Sequence, residues 1–430
     1  MEIMEKNEYF NSLPFPAPYV IQALDHYYGI KEIKEEVQEQ PFMFKSNLSK
    51  DKKKRLKILL TTFWDHPHVG GLSKYLSTFQ KGFESLGHQV DVISPNQCKN
   101  ETYTDYSQVL RDFFTNRYGE YSERIVRNCN GLYRYERFLS EMDLEHYDIL
   151  HAQDLFTANV LGRLNNWYKK PIFFTPHGSF TSSRLKFGKL ISGSIEEAYF
   201  RCIEERAIFN ARKVIMISDN FRAPLCEFGA RKDQLIKVNT GIEWEYEEKK
   251  CENTDKIIIT VISRLSPRKG HRYLLEALDK IKGSLPNVEL RIVGDGVMRG
   301  NLEQQVQDLG LSNVYFYGVR SDIPELLRQS DIYVLPTIND NMPISVIEAM
   351  FGEQAIITTN CGGIPEIIQD QQTGFVVDPG NVNELADRLL LLISSRELRK
   401  ALAEKAKSYA HQHLTAEIMV KGILAGYESF

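Results

Sequence analysis

Two acidic residues, Asp340 and Glu348, lie eight positions apart in the segment NDNMPISVIEAMFG. Pro343 and the residues after it have the pattern of a helix start, which predicts unpaired backbone amides between the two carboxylates. Such amides favour an anion, and a carboxylate accepts hydrogen bonds from a pair of hydroxyls. The amides of Ile344 and Ser345 would then face a phosphate, with polyols held by the acids. For this stretch alone, an ordinary helix with a capping acid is the alternative.

Two further groups of residues follow predicted strands and suit a diphosphate. The loop SRLSPRKG comes after strand 257–262 and holds Arg264 and Lys269. Arginine can bind two oxygens at once, and lysine supplies a point charge. Gly70 and Gly71 follow the first predicted strand, where glycines let a ligand approach the backbone at the start of a helix. A basic surface loop and a plain turn are the alternatives. The dinucleotide fingerprint and the P-loop motif are both missing from the sequence.

The elements that would position these residues alternate between short apolar runs and helical segments, which is typical of parallel sheets covered on both faces. In open α/β sheets, ligands bind beyond the carboxyl ends of the strands, so two such sheets facing each other would hold a ligand between them. We predict a helix over 19–37 and a loop followed by a helix over 70–88, which closes near Gly87. We predict strands over 56–63, 89–94, 147–153, 170–178, 213–218, 257–265, 289–296, 314–318, 332–337, 355–359 and 375–379. The predicted segments are an N-terminal extension (1–55), a Rossmann-like domain (56–243), a linker (244–256), a second Rossmann-like domain (257–411) and a C-terminal helix packing back on the first domain (412–430).

Composition limits the class of protein. The chain has 430 residues, 42% of them hydrophobic, and a net charge of -4, which allows two or three domains and gives no overall positive charge for nucleic acid. Six cysteines without a C-x-x-C pair are typical of a reducing compartment. We expect a cytoplasmic protein, since neither a secretory signal nor a run of about 20 apolar residues occurs. Basic residues in 49–57 and 182–193 leave peripheral contact with anionic lipid open, a solvated surface being the alternative.

Taken together, these segments resemble the retaining glycosyltransferases of family four, which have the GT-B fold. The likeness extends from about residue 57 to about residue 380. It depends on VGGLSKYL, LGHQVDVIS, TPHGS, NTGIE, SRLSPRKG, VGDG, DNMPISVIEAM and TNCGGIPEIIQDQQTGFVVDPG in this order. The resemblance implies an α/β protein with two Rossmann-like domains facing across a cleft. It also implies transfer of a sugar from a UDP- or GDP-linked donor to a hydroxyl of a glycan, a lipid-linked or a small-molecule acceptor.

The resemblance further assigns roles to individual positions. Glu348 would bind the ribose hydroxyls, and Asp340 would contact the sugar at a place where the family usually has Glu. His177, in TPHGS, would lie near the transferred sugar, whereas without the resemblance it is a structural histidine. Val319 and Arg320 would border the base. The diphosphate would be bound by Gly70, Gly71, Arg264, Lys269 and the amides of Ile344 and Ser345, and the predicted catalytic residues are His177, Arg264, Lys269 and Asp340.

Neither a cofactor nor a metal is expected beside the nucleotide sugar, because the sequence has no Asp-x-Asp pair and no clustered His and Cys set. A nucleotide-sugar epimerase or phosphorylase and a non-catalytic nucleotide-sugar-binding relative are the alternatives. The family's usual residues are replaced at Phe351, Glu353, Gln354 and Ala355, which we interpret as packing variation. No motif identifies the acceptor or the oligomeric state.

Overall fold

The computed structural model describes residues 17–30, 55–98, 105–244, 256–284 and 287–429. The chain divides into two compact units. The first contains Met1–Met216, Phe221–Lys237 and Ile423–Phe430, and the second contains Ile217–Asn220 and Val238–Gly422. Most of the predicted linker, residues 245–255, lies outside the described residues, and so does most of the basic run 49–57.

A parallel six-stranded sheet forms the centre of the first unit. Its strands are β1 (Lys57–Thr61), β2 (Gln89–Ile93), β3 (Ile149–Ala152), β4 (Ile172–Phe174), β5 (Lys213–Met216) and β6 (Leu235–Lys237). Their order is β2-β1-β3-β4-β5-β6. In this register Ile58 pairs with Val90 on one side and with Ile149 on the other. The central strands are buried on both faces, as a sheet between helices requires. Strand β6 has only three residues and was not predicted.

Helices of the first unit include one before β1. They are α1 (Pro18–Tyr27), α2 (Gly71–Ser85), α3 (Ser107–Tyr118), α4 (Glu123–Glu141), α5 (Leu155–Tyr168), α6 (Phe180–Lys186), α7 (Ile195–Asn210) and α8 (Arg222–Glu227). Helix α1 is shorter than predicted: it ends at Tyr27 because Gly29 adopts φ 65°, a left-handed conformation that favours glycine. The rest of the predicted helix, 31–37, lies outside the described residues.

Helix α1 is held on α3 by a buried carboxylate. Asp25 accepts a hydrogen bond from Arg117 Nε at 2.8 Å and another from the Tyr118 hydroxyl at 2.9 Å. The Arg117 guanidinium keeps the pKa of Asp25 below its ordinary value. The Tyr28 ring stacks on Tyr118 with centroids 4.7 Å apart. The described part of the N-terminal extension is therefore packed into the first unit.

The second unit repeats the architecture. Its strands are β7 (Ile257–Ile262), β8 (Val288–Val293), β9 (Val314–Gly318), β10 (Ile332–Leu335), β11 (Ala355–Thr359) and β12 (Phe375–Val377), in the order β12-β11-β10-β7-β8-β9. All paired strands are parallel, so their carboxyl ends share one edge. The later helices are α9 (His271–Ile281), α10 (Arg299–Asp308), α11 (Ile323–Arg328), α12 (Ile344–Phe351), α13 (Val382–Ser394), α14 (Arg396–His413) and α15 (Ala416–Glu428).

The residues that depart from the family's pattern after α12 make packing contacts. Gln354 is fully buried, and its Nε2 donates to Leu327 O at 2.6 Å. Glu353 forms an ion pair with Lys407 at 2.6 Å. Ala355 opens the buried strand β11.

The last residues of α15 belong to the first unit. Tyr427 is fully buried, and its ring centroid lies 4.5 Å from that of Phe173. Its hydroxyl lies 2.6 Å from His151 Nδ1, and His151 Nε2 lies 2.8 Å from Thr175 Oγ1. Burial lowers the pKa of His151 to about 3, so the ring is neutral. The core behind β3 and β4 is thus completed by a residue from the C-terminal helix.

Candidate active site

A buried carboxylate joins two of the loops that follow strands in the first unit. Asp154 caps α5 and accepts the N–H groups of Phe156 and Thr157 at 3.0 and 2.9 Å. Its other oxygen accepts the N–H of Phe63 at 2.6 Å and the hydroxyl of Thr62 at 3.2 Å. Burial raises the pKa of Asp154 to about 6. The loop that leads from β1 toward the predicted glycine pair is thereby fixed to the start of α5.

His177 lies partly buried in the loop between β4 and α6. Its Nε2 lies 2.9 Å from Gln153 Oε1, so a hydrogen bond to the Gln153 amide orients the imidazole. The ring of Tyr75 meets the imidazole edge-on, with centroids 4.7 Å apart. Burial lowers the pKa of His177 to about 4. A neutral, fixed imidazole can exchange hydrogen bonds with hydroxyl groups without bringing a charge to them.

Gly70 and Gly71 lie at the junction between a strand loop and a helix, as predicted. Gly70 precedes α2 and Gly71 is its first residue. A Cβ atom at Gly70 would lie 3.1 Å from His68 Nε2. The hydroxyl of Ser73 accepts the N–H of His68 at 3.1 Å and lies 2.8 Å from His66 Nδ1. The loop is therefore held in place beside the first amides of α2, and its contact with a diphosphate stays a prediction.

The second unit brings Lys269 and Asp340 together as an ion pair. Only 11% and 15% of these side chains are exposed. Charges this far from water are stable only when they are paired and hydrogen-bonded, and Asp340 also accepts the N–H of Asn341 at 3.2 Å. The two predicted site residues meet beyond the ends of β7 and β10, 71 positions apart in sequence.

Glu348 lies on the second turn of α12 and is 6% exposed. Helix α12 starts directly after Pro343, as the sequence predicts. On β10, the Tyr333 hydroxyl donates to Ser345 Oγ at 2.7 Å. Burial raises the pKa of Tyr333, and the negative charges of Glu348 and Asp340 add to the effect. Glu348 belongs to α12 and Asp340 lies three residues before Pro343, so both acids lie near the start of the helix that Tyr333 contacts.

A second glycine pair, Gly362 and Gly363, is a packing contact. The N–H of Gly363 donates to Asn341 O at 2.7 Å. Gly362 adopts φ 56°, and a Cβ there would lie 1.7 Å from Asp340 O. A Cβ at Gly363 would lie 2.5 Å from Ser218 Cβ. Only glycine lets the loop after β11 lie against the loop that carries Asp340.

Gly270 has the same role beside Lys269. It adopts φ 70°, and a Cβ there would lie 1.9 Å from Pro336 O. The N–H of Ile338 donates to Arg268 O at 2.7 Å, and the hydroxyl of Thr337 donates to the same oxygen at 3.0 Å. The loops after β7 and β10 are thus joined backbone to backbone, which fixes the Lys269–Asp340 pair.

Arg264 is exposed, and its guanidinium forms no hydrogen bond or ion pair with the part of the chain that the structure describes. Its loop is held by the segment VGDG: the N–H of Leu265 donates to Asp295 O at 2.9 Å, and the N–H of Met298 donates to Leu265 O at 3.1 Å. A Cβ at Gly296 would lie 2.3 Å from Leu265 O. The backbone is therefore fixed while the cation is available to a ligand.

Val319 and Arg320 follow β9 at the edge of the second sheet. Val319 is 57% exposed. The Arg320 guanidinium donates two hydrogen bonds to Asp322, at 2.8 and 2.6 Å, which raise its pKa. The proposed contact of both residues with a base stays a prediction.

Gln153, Tyr333 and Cys361 contact predicted site residues but are not among the residues that the sequence predicts. Gln153 immediately follows β3 and touches His177, and Tyr333 touches the start of α12. The Cys361 thiol lies 3.7 Å from Thr337 O, and burial raises its pKa. Gln153 is the first residue after β3 and Cys361 is the second after β11, so position at a strand end is the signal that could have identified them. Tyr333 lies within an apolar strand and gives no such signal.

No helix in the described ranges is long and apolar enough to cross a membrane. Within the same ranges, no group of three or more His, Cys, Asp or Glu residues is arranged to hold a metal ion.

Comparison with known proteins identifies the class. Residues 69–246 match the family model Glycosyltransferase Family 4, and residues 242–409 match the model Glycosyl transferases group 1. An uncharacterized glycosyltransferase of Methanocaldococcus jannaschii is 25% identical over 399 residues, which are 87% of this chain and 98% of the relative. The N-acetyl-alpha-D-glucosaminyl L-malate synthase of Bacillus anthracis is 29% identical over 376 residues, 85% of this chain and 95% of the relative.

A solved structure supports the same conclusion for the fold. HepE of Anabaena, determined in complex with UDP and glucose, has a TM-score of 0.66 and 20% identity, covering 87% of this chain and 100% of HepE. The predicted fold class, α/β with two Rossmann-like parallel sheets of the GT-B type, is confirmed. Because the two family models together extend over residues 69–409, the chain belongs to the family-four group of GT-B glycosyltransferases.

Proposed function

We propose that this glycosyltransferase moves a sugar from a nucleotide-diphosphate sugar to a hydroxyl acceptor, with retention of configuration and without a metal ion. The observation that carries the proposal is the buried Lys269–Asp340 pair beside the start of α12. HepE was solved with UDP and glucose, and a similar galactosyltransferase of Escherichia coli, 25% identical over 273 residues, has UDP-Gal in its name. Both support a nucleotide-sugar donor here.

In this proposal the second unit binds the donor. The diphosphate contacts Lys269, Arg264 and the first amides of α12, where a helix start favours an anion. Glu348 accepts hydrogen bonds from the ribose hydroxyls. Asp340 is held by Lys269 with its carboxylate ready for sugar hydroxyls. Lys269, Asp340 and the first amides of α12 are fixed before the donor binds, so little ordering of these groups is needed when it arrives.

The reaction breaks the bond between the anomeric carbon and the diphosphate oxygen. Negative charge develops on the diphosphate, and Lys269, Arg264 and the helix amides stabilise it. The acceptor hydroxyl forms the new bond on the face that the diphosphate leaves, and its proton passes to a phosphate oxygen. His177, neutral and oriented by Gln153, would hold a hydroxyl of the transferred sugar. The positive potential of the chain's own residues replaces that of a metal.

Binding and turnover test this proposal. A panel of UDP- and GDP-sugars is screened for a rise in melting temperature, because a ligand that binds only the folded state stabilises it. Donor hydrolysis is then measured with and without EDTA. Lys269→Ala and Glu348→Gln should each weaken donor binding by roughly tenfold or more, because each removes hydrogen bonds to or from a charged group. Lys400→Ala, at a side chain that is 78% exposed, is the matched control.

Each result decides between the alternatives. Equal donor binding by wild type and both variants would show that the site is misplaced. Loss of activity in EDTA contradicts metal-independent transfer. Conversion of the donor to its epimer points to an epimerase. Donor binding without hydrolysis or transfer to any acceptor points to a non-catalytic relative.

A further inference from the structure

A row of aromatic rings follows the carboxyl ends of β1, β3 and β4. The ring centroids of Phe63 and Phe156 are 5.1 Å apart, and those of Phe156 and Phe180 are also 5.1 Å apart. Phe180 is the first residue of α6, three positions after His177. The start of α6 therefore lies at the same sheet edge as His177.

Arg184 lies one turn along α6, over the Phe180 ring. Its guanidinium carbon is 3.2 Å from the ring centroid, and Nη1 donates to Phe180 O at 3.4 Å. The side chain is partly buried, and burial lowers the pKa of Arg184 to about 10. A cation that loses water in this way is normally compensated by a carboxylate.

Arg184 has no such partner: it forms no ion pair within the described ranges. The acid that acts on it electrostatically is Glu204. Both oxygens of Glu204 are already used, because they accept the N–H groups of Phe180 and Thr181 at 2.8 and 3.1 Å. Glu204 thus fixes the start of α6 and leaves the guanidinium without a hydrogen-bonded anion.

Neighbouring charges increase the imbalance. Arg124 adds positive potential at Arg184, and its own guanidinium is paired with Glu196 and donates to Lys189 O at 2.8 Å. By contrast, Arg117 of the same unit is paired with a buried aspartate. The environment of Arg184 therefore favours an anion from outside the chain, at a position that solvent still reaches.

We propose that Arg184 binds an anionic group of the acceptor, a phosphate or a carboxylate, on the helix that follows His177. The inference rests on the proposed function and names the chemical class of the acceptor. A guanidinium donates to two oxygens of such a group in one plane, and the Phe180 ring supports its face. The acceptor is then a hydroxyl compound with an acidic group, which is either soluble or a lipid headgroup.

The test uses inorganic phosphate as the probe and thermal unfolding as the readout. UDP is kept saturating so that the donor site is filled, and phosphate is titrated at constant ionic strength. Phosphate should raise the melting temperature of the wild type further. Arg184→Gln should weaken this apparent affinity by roughly tenfold or more, since hydrogen bonds to charged groups are lost. Lys186→Gln removes one charge from an exposed position on the same helix and should keep the effect.

The outcomes separate this inference from the proposed function. If UDP stabilises the wild type but phosphate adds nothing, or if Arg184→Gln responds as the wild type does, the inference is wrong. If Arg184→Gln and Lys186→Gln lose the phosphate-induced rise in melting temperature equally, the inference is also wrong. General positive potential then explains the binding of phosphate. If UDP itself does not stabilise the protein, the failure lies in the proposed donor site. Melting without ligand shows that each variant is folded.

A second arm identifies the source of the anion. Sedimentation with vesicles of phosphatidylglycerol is compared with sedimentation with phosphatidylcholine vesicles, for the wild type and Arg184→Gln. If binding to the anionic vesicles depends on Arg184, the anion at this site is a lipid headgroup. If phosphate binds but the vesicles do not, the anion belongs to a soluble acceptor.

Discussion

Lys269 and Asp340 each carry a charge into a region where water reaches little of either side chain. Their pairing has a structural consequence and a functional one, and the two can be separated. Removing one partner of such a pair leaves an uncompensated charge, whereas replacing both by uncharged groups can be close to neutral for stability. Donor binding depends instead on the lysine charge itself.

We therefore expect Asp340→Asn to lower the free energy of unfolding by roughly 3 kcal/mol, the usual cost of breaking a buried pair. The double variant Lys269→Met with Asp340→Asn should recover most of this loss but should not bind the donor. Denaturant unfolding and donor titration measure the two effects. A double variant that binds the donor like the wild type would show that the lysine has only a structural role.

Buried histidines make stability depend on pH. Burial lowers the pKa of His151 to about 3 and those of His177 and His271 to about 4, below the ordinary 6.5. Below pH 6.5 these histidines bind protons in the unfolded chain but stay neutral in the folded chain. The free energy of unfolding therefore falls as the pH falls toward 4. Asp154, whose pKa is raised to about 6, has the opposite effect. Its carboxylate binds a proton more readily in the folded chain, so it increases the free energy of unfolding as the pH falls.

Each of the three histidines lowers the free energy of unfolding as the pH falls from 6.5 to 5, whereas Asp154, Glu136, Glu204 and Glu205, whose pKa values burial raises, act the other way. Each group contributes at most about 1.4 kcal/mol per pH unit. Chemical denaturation across this range measures the slope, and His177→Gln should remove the share of one group. A slope in His177→Gln equal to that of the wild type would contradict the assignment of a neutral buried ring at position 177.

At the scale of elements, the loops at the carboxyl edge of the second sheet are joined by glycines. Gly362→Ala places a Cβ 1.7 Å from Asp340 O at a backbone φ of 56°. We expect the loop that carries Asp340 to shift, so that donor affinity falls by roughly tenfold or more, as for a lost hydrogen bond to a charged group. Isothermal titration with the donor checks this.

Gly300→Ala is the control, because a Cβ there meets nothing within 4 Å. It lies in α10, where alanine is preferred over glycine, so its melting temperature should stay equal or rise. Unchanged donor affinity in Gly362→Ala would show that the loop tolerates the displacement.

The sequence predicted most of these elements but not the contacts between them. Every predicted strand overlaps an observed one, because apolar runs report burial directly. Strand β6 is too short to give such a signal. The apolar periodicity predicts a helix past residue 29, but Gly29 adopts a left-handed conformation and the helix ends before it. The Lys269–Asp340 pair, the Tyr333–Ser345 bond and the Gly363–Asn341 contact depend on strand order, which local pattern does not determine.

At the scale of the whole molecule, each unit has its own sheet and its own predicted site residues. His177 belongs to the first unit and Lys269 to the second. Helix α15 contains residues of both, since Ile423–Phe430 are counted with the first unit. The first unit therefore depends on residues far from it in sequence.

We predict that Tyr427→Phe weakens the first unit without changing donor affinity. The variant leaves His151 Nδ1 without its hydroxyl partner in a buried place, which costs about 1–3 kcal/mol. Hydrogen exchange of β3 and β4 should become faster by roughly tenfold, while exchange of β10 and β11 stays unchanged. Tyr135→Phe, at a buried tyrosine whose hydroxyl donates to Ile93 O at 2.9 Å, is the control for losing one hydroxyl.

If Tyr135→Phe and Tyr427→Phe speed hydrogen exchange in β3 and β4 equally, the Tyr427–His151 contact stabilises these strands no more than the other buried hydroxyl does. If exchange in the second unit rises as well, the two units do not respond separately.

The place of Tyr427 in the core also bears on how the protein is made. A ribosome produces β1 to β6 long before it reaches residue 423, so the first sheet is made before the Tyr427 ring can pack on Phe173 and its hydroxyl can meet His151. Translation must pass this point before that core can close. A product that stops earlier, even with every residue of both sheets present, keeps an apolar opening behind β3 and β4, which quality-control proteases can recognise.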